Sequence, residues 1–175
     1  IGPTLSIDYI EGRNIERPEL LEGQRTKTFN LGVGVTLLYD TRDNLTAPHS
    51  GVYLSLMELA RPHFLGNHYA FSTTDLRASG YMPVWKGAVL AADCRATINI
   101  GNPSWGMMAL LGNSYSMRGY YEGRYRDKNK IEATIELRQH VWRRNGVVAW
   151  AGAGTVFPKF ADLRMKHVLP NFGVG

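Results

Sequence analysis

Polarity along this chain alternates residue by residue, and in three places the pattern extends over about a dozen positions. From Phe29 to Asp40 one set is Phe29, Leu31, Val33, Val35, Leu37 and Tyr39; the other is Asn30, Gly32, Gly34, Thr36, Leu38 and Asp40. From Ala88 to Ile100, Ala88, Leu90, Ala92, Cys94, Ala96, Ile98 and Ile100 alternate with Val89, Ala91, Asp93, Arg95, Thr97 and Asn99. From Ile131 to Trp142, Ile131, Ala133, Ile135, Leu137 and Val141 alternate with Glu132, Thr134, Glu136, Arg138 and His140, Gln139 being the exception. A period of two is the pattern of a β-strand with two unlike faces. Strands in soluble sheets run to about 5 or 6 residues. A tilted strand crossing a bilayer needs about 9 to 11. Stretches this long, with charges such as Asp93, Arg95, Glu136 and Arg138 in mid-strand, fit a membrane barrel whose interior is hydrated better than a soluble β-sandwich.

Weaker strands fall between these, at Thr4–Ile10, Val52–Ala60, Tyr69–Met82, Val147–Phe157 and Leu169–Gly175. The connections alternate in length. Pro83–Gly87 and Arg143–Gly146 read as tight turns, the second because Asn145-Gly146 is a strong hairpin signal. Arg61–His68, Gly101–Asn129 and Pro158–His167 are long. Short turns at one end and long loops at the other are the habit of outer-membrane barrels. Tyr39, Tyr53, Tyr81, Trp85 and Trp142 sit near the short-turn end, where an interfacial aromatic girdle belongs.

Composition narrows the alternatives. With 44% hydrophobic and 20% charged residues among 175, the chain is neither a disordered tail nor a bundle of membrane helices. No run approaches the ~18 apolar residues of a spanning helix. The uncharged stretch Asn145–Pro158 is interrupted by Gly146, Gly152 and Gly154. The net charge of +5 is spread among neighbouring acids, so no basic stripe offers itself to nucleic acid. One cysteine, Cys94, excludes a disulfide framework. The five histidines are dispersed, and no metal site is expected. Gly112-Asn113-Ser114-Tyr115-Ser116 lacks the last glycine of a nucleophile elbow. Gly32-x-Gly34 and Gly152-x-Gly154 lie in strands rather than before helices, so neither reads as a nucleotide fingerprint. No catalytic residue and no cofactor is expected. Ile1-Gly2-Pro3 is no signal peptide, and both ends read as cut from something longer.

The connection between the strands ending at Ile100 and starting at Ile131 contains Gly112-Asn113-Ser114-Tyr115-Ser116-Met117-Arg118-Gly119-Tyr120. A glycine, a short polar stretch and then hydrophobic-Arg-Gly-aromatic resembles the signature of the BamA/TamA-type bacterial surface-antigen family. Tyr121–Asp127 resembles the continuation of that signature. Two further stretches agree in order and spacing. Tyr39-Asp40-Thr41-Arg42-Asp43-Asn44, with Pro48 and Gly51 after it, resembles the family's Asp-x-Arg-(Asp/Asn) turn. Gly154-Thr155-Val156-Phe157, closing Trp150–Phe157, resembles the strand after the loop.

The resemblance implies an all-β, antiparallel transmembrane barrel of which residues 1–175 make about half. The family's barrel has sixteen strands, and this chain would supply roughly the eighth to the thirteenth, with parts of both neighbours. It further implies that residues 101–129 form a loop inserted into the lumen, with Met117, Arg118, Gly119 and Tyr120 as its anchoring motif. In the family an aspartate and an aromatic of the later strand meet the loop arginine. Here the aromatic position matches Trp150, while the aspartate position is Gly152. Arg118 must find another partner, and Glu132 and Glu136, on the polar side of their strand, are the candidates; Gly154 would let the loop approach. The turn motif contributes Asp40, Arg42 and Asp43.

By the same resemblance the parent protein sits in the bacterial outer membrane and assists insertion or translocation of other proteins. Its partners would be outer-membrane lipids, unfolded client proteins and POTRA domains of its own chain. Two alternatives belong to other classes: a barrel that anchors or exports a fused enzyme such as a phospholipase, and a soluble β-barrel that binds a small apolar ligand.

Overall fold

The computed structural model describes residues 1–16, 18–21 and 23–175. The described residues form ten strands: β1 (Gly2–Glu11), β2 (Lys27–Asp40), β3 (Gly51–Arg61), β4 (Phe71–Trp85), β5 (Ala88–Gly101), β6 (Ala109–Leu111), β7 (Tyr125–Asp127), β8 (Asn129–Trp142), β9 (Asn145–Phe157) and β10 (Leu169–Val174). Eight of them make one antiparallel sheet in the order β1-β2-β3-β4-β5-β8-β9-β10. The sheet is a meander with a single excursion, residues 102–128, which carries the small β6–β7 ribbon. The long alternating stretches are β2, β5 and β8, and the weaker ones are the rest of the sheet.

Register sorts the side chains onto two faces. Cross-strand partners such as Tyr9↔Phe29, Leu37↔Leu56 and Cys94↔Ala133 place one alternating set on an apolar face. That face is open: Leu5 and Ile7 are each 65% exposed and Ile135 is 58% exposed. Contiguous exposed apolar surface of this breadth is a lipid-facing surface, not a surface for water. Glu58 interrupts it in β3, and its carboxylate accepts a hydrogen bond from Thr74 of the neighbouring strand. The opposite face is polar. Partners Asp75↔Thr97, Arg77↔Arg95, Asp93↔Thr134 and Arg95↔Glu132 line it. A face of this composition does not suit an apolar ligand, which removes the soluble ligand-binding reading.

The buried apolar side chains Phe157, Phe71, Met117, Leu111 and Leu59 lie toward the long-loop end. Leu111 and Met117 lie between the excursion and the wall, so the excursion is part of the packing rather than a free loop. A polar ladder crosses the sheet at the same end. Arg61 Nη1 donates to Thr73 Oγ1 at 3.0 Å, and Thr73 Oγ1 donates to Asn99 Oδ1 at 2.7 Å. Asn129 accepts from the Asn99 amide and donates to the carbonyls of Phe157 and Pro158.

Two turns differ from expectation. The β4–β5 turn is only Lys86-Gly87, because β4 continues through Pro83 to Trp85 with a register shift there. A bulge is where a strand tolerates proline, which has no N–H for the ladder. At the other hairpin the turn residues are Arg143 and Arg144, with Arg143 at φ 51°, and Asn145-Gly146 already pairs in β9. A register shift between His140 and Trp142 moves the turn two residues ahead of the Asn-Gly signal. The aromatic girdle is also thinner than expected. Tyr39, Trp85 and Trp142 are exposed, but the register puts Tyr53 and Tyr81 on the polar face, opposite Ser79 and Ala91.

Candidate functional site

The excursion returns to the polar face at the hydrophobic-Arg-Gly-aromatic motif. Asn113 Oδ1 accepts from the amides of Tyr115 and Ser116 at 2.8 Å each, an Asx-type turn that curls residues 113–116. Met117 follows in the left-handed region at φ 49°, which costs a non-glycine residue free energy. Its side chain is fully buried, and burying a Met contributes about 1.5–3 kcal/mol, enough to offset that strain. Gly119 also has a left-handed φ, +94°, with open space where a β-carbon would lie. Its glycine answers to backbone conformation and not to close approach.

Arg118 projects from this turn onto the wall. Its Nη2 donates to Glu136 Oε2 at 2.6 Å, and its guanidinium carbon lies 4.6 Å from the centre of the Trp150 ring. Glu136 and Trp150 are cross-strand partners on β8 and β9, so one register pair presents a carboxylate and an aromatic face side by side. Trp150 in turn lies over Gly173 of β10, where a β-carbon would come within 2.7 Å of its ring. Tyr120 reaches the same strand, its hydroxyl donating to the Pro170 carbonyl at 2.8 Å. Asn171 Nδ2 points to the Arg118 carbonyl at 3.4 Å.

Glu132 belongs to the same cluster but does not hold Arg118. Its Oε1 accepts from Ser116 Oγ at 2.7 Å and lies 3.3 Å from Lys130 Nζ, and the residue is 2% exposed. Gly152 and Gly154 make room in different ways. A β-carbon at Gly154 would meet Met117 Sδ and Leu111 Cδ1, each at 3.0 Å, so the loop seats directly on it. A β-carbon at Gly152 would lie 2.7 Å from Thr134 Oγ1 and 2.8 Å from the Ala133 carbonyl, against the wall itself. The aspartate that the family resemblance would place at Gly152 therefore has no space here, and the acid facing Arg118 comes from β8 instead.

The turn motif is separate from this cluster. Asp40 takes Arg42 by both oxygens, at 2.9 Å from Nε and 2.7 Å from Nη2, and the Arg42 guanidinium lies 4.5 Å from the Tyr53 ring centre. Asp43 Oδ1 accepts the amides of His49 at 2.8 Å and Ser50 at 3.1 Å, which closes the ten-residue connection 41–50. Those amides hold the Asp43 carboxyl below its usual range.

Mid-strand charges outside the loop motif also face the loop. Arg138 donates through Nε to the other oxygen of Glu136 at 2.6 Å, so Glu136 carries two arginines. Asp93 gathers Ser79, Arg77 and Arg95 beside it. Their alternation on β4, β5 and β8 was visible in sequence; their convergence needs the register.

Residues 4–162 match the family model of the Omp85 superfamily domain. The chain belongs to the Omp85 superfamily. No curated protein matches it. Omp85 proteins are outer-membrane β-barrels that insert or translocate proteins without making or breaking bonds in them. The sheet is thus the wall of a partial transmembrane barrel, with its apolar face outward and its polar face inward.

Proposed function

We propose that this Omp85 chain belongs to an outer-membrane protein that assists insertion or translocation of unfolded client proteins, and that residues 101–129 act within it as a loop pinned inside the lumen by Arg118. The contact of Arg118 with Glu136 and Trp150 carries this reading. A loop inside a hydrated barrel has exposed backbone and many competing conformations. A guanidinium fixed by a charge-assisted hydrogen bond and an aromatic face at once selects one of them. The pinned loop braces β8, β9 and β10 together, because its motif touches side or main chain of all three. A wall stiffened in this way can yield elsewhere along the barrel while a client passes or is inserted. POTRA domains of the parent chain and outer-membrane lipids are the partners this reading requires.

The test is to place the full parent protein in liposomes and time the folding of an unfolded client barrel, beside an Arg118→Ala version. Faster client folding with the parent, reduced about tenfold or more in Arg118→Ala, is the expected result. A correctly folded parent that accelerates no client would remove the assembly role. Acceleration unchanged by Arg118→Ala would remove the pinning role and leave the assembly role standing.

A further inference from the structure

Beside the loop motif the polar face forms a half-open hollow of about 150 Å³, and its lining carries an imbalance of charge. Four guanidinium groups, Arg77, Arg95, Arg118 and Arg138, face two carboxylates, Asp93 and Glu136. The carboxylates are engaged on both oxygens. Asp93 Oδ2 takes Ser79 Oγ at 2.6 Å and Arg77 Nε at 3.2 Å, while Oδ1 takes Arg95 Nε at 2.6 Å. Glu136 takes Arg138 Nε on Oε1 and Arg118 Nη2 on Oε2. The guanidiniums are not engaged in the same way. Arg77, Arg95 and Arg138 each meet a carboxylate through Nε alone, and among the described residues neither terminal nitrogen of any of the three has a partner. The forked, two-point arrangement that satisfies an arginine–carboxylate pair is absent from all three.

Two of these arginines are also held in place. The Arg77 guanidinium carbon lies 5.3 Å from the centre of the Tyr53 ring, and that of Arg138 lies 5.7 Å from the centre of Tyr81. Tyr53 and Tyr81 are the two aromatics that turned inward instead of joining the girdle. An arginine resting by its face on a ring keeps its N–H edge free for a planar or tetrahedral oxyanion. A surplus of two positive charges in a wall backed by lipid is weakly screened on that side and attracts an anion.

We infer that this hollow is an oxyanion-binding site on the lumen side of the wall, taking a small phosphate-like group on the free edges of Arg77, Arg95 and Arg138, with Arg118 of the loop closing it. The shared ligand chemistry is a tetrahedral oxyanion, whether as free phosphate or on a lipid headgroup. The inward orientation of the site favours the free ion. Because Arg118 is in both, an occupied site would tie the loop to the wall more firmly than the protein groups do alone.

The test uses the full parent protein in nonionic detergent at low ionic strength, titrated calorimetrically with inorganic phosphate and, separately, with short-chain phosphatidylglycerol. It needs no client, so its outcome is independent of the assembly role. One saturable phosphate site is expected, weakened tenfold or more by Arg77→Gln or Arg95→Gln and unchanged by Arg143→Gln at the exposed hairpin turn. Phosphatidylglycerol that binds and displaces phosphate would keep the site and name the headgroup as its source. No saturable phosphate heat from the wild-type protein would overturn the inference, as would full affinity in the Arg77→Gln/Arg95→Gln double variant. A second measurement needs no substitution: the guanidinium ¹⁵N signals of Arg77, Arg95 and Arg138 in the wild-type protein should shift with phosphate along one binding curve, and signals that stay still would equally overturn it.

Discussion

Arg118 and the two glycines opposite it solve different problems at single-residue scale. Arg118 supplies attraction, whereas Gly152 and Gly154 supply absence, and the structure separates what each absence is for. At Gly154 the atoms in the way are Met117 Sδ and Leu111 Cδ1, both on flexible side chains of the loop, at 3.0 Å, with Glu132 Cβ of the wall behind them at 3.1 Å. At Gly152 they include the Ala133 carbonyl, fixed in the β8 strand, together with the side-chain oxygens of Thr134 and Asn171. Flexible ends give way by a few tenths of an ångström; a ladder carbonyl does not without disturbing its hydrogen bonds. Gly154→Ala is therefore expected to cost about 1 kcal/mol or less and to loosen only the loop, while Gly152→Ala costs about 2–3 kcal/mol, at the upper part of the range for overpacking. Urea unfolding midpoints in lipid vesicles, read beside proteolysis of the 112–120 segment, check both. Equal costs at the two positions, or a larger one at Gly154, would contradict this assignment.

At the scale of elements, the Asp43 carboxylate draws the two ends of the connection 41–50 together. Asp43 accepts the His49 and Ser50 amides, and those bonds lower its pKa in the folded chain relative to the unfolded one. A depressed folded pKa means that the stabilisation is fully present above the ordinary aspartate value, about 4, and is lost as pH falls through the lower folded value. The amide proton shifts of His49 and Ser50 should titrate with a midpoint below 4, and Asp43→Asn should abolish that titration; a midpoint at or above 4 would contradict it. How much of these elements could be read from sequence follows from the range of the signals. β2, β5 and β8 show in alternation because each residue reports its own face. The turn lies within Arg143–Gly146 as read, but at Arg143-Arg144 rather than at Asn145-Gly146, because Asn-Gly is a local preference and the bulge between His140 and Trp142, a cross-strand effect, overrides it. β6 and β7, three residues each, are too short to show any period. The motif around Arg118 was legible, as was the polar side of β8, but choosing Glu136 over Glu132 required knowing that Glu136 stands opposite Trp150 while Glu132 is occupied by Ser116 and Lys130. The inward turn of Tyr53 and Tyr81 was missed because their position near the turns was weighed and their parity along the strand was not.

For the whole molecule the decisive property is that one sheet separates two solvents. Neighbouring residues in the middle of β3 make this testable at a single depth. Leu56 lies on the apolar face between Leu37 and Leu76, and is 37% exposed; Ser55 lies on the polar face between Leu38 and Arg77. An arginine at Leu56 must enter hydrocarbon near the midplane, where a cation on the lipid face costs about 2–4 kcal/mol. An arginine at Ser55 stays in water, and its penalty is the like charge of Arg77 directly across the strand pair, within about 1 kcal/mol. In lipid vesicles Leu56→Arg is thus expected to unfold at clearly lower urea than Ser55→Arg. Detergent micelles, which deform around a charge, should narrow the gap. Glu58, two residues further along the same face, marks how that rule is moderated: it sits three residues from the loop end of β3 and has Thr74 as a hydrogen-bond partner. Near the interface the cost of a charge falls toward zero. Glu58→Leu should accordingly change vesicle stability by less than about 1 kcal/mol, in contrast to the midplane arginine. A loss as large as that of Leu56→Arg would mean that Glu58 is not at the interface, and that the membrane-facing band is displaced along the strands from where the exposed leucines and valines place it.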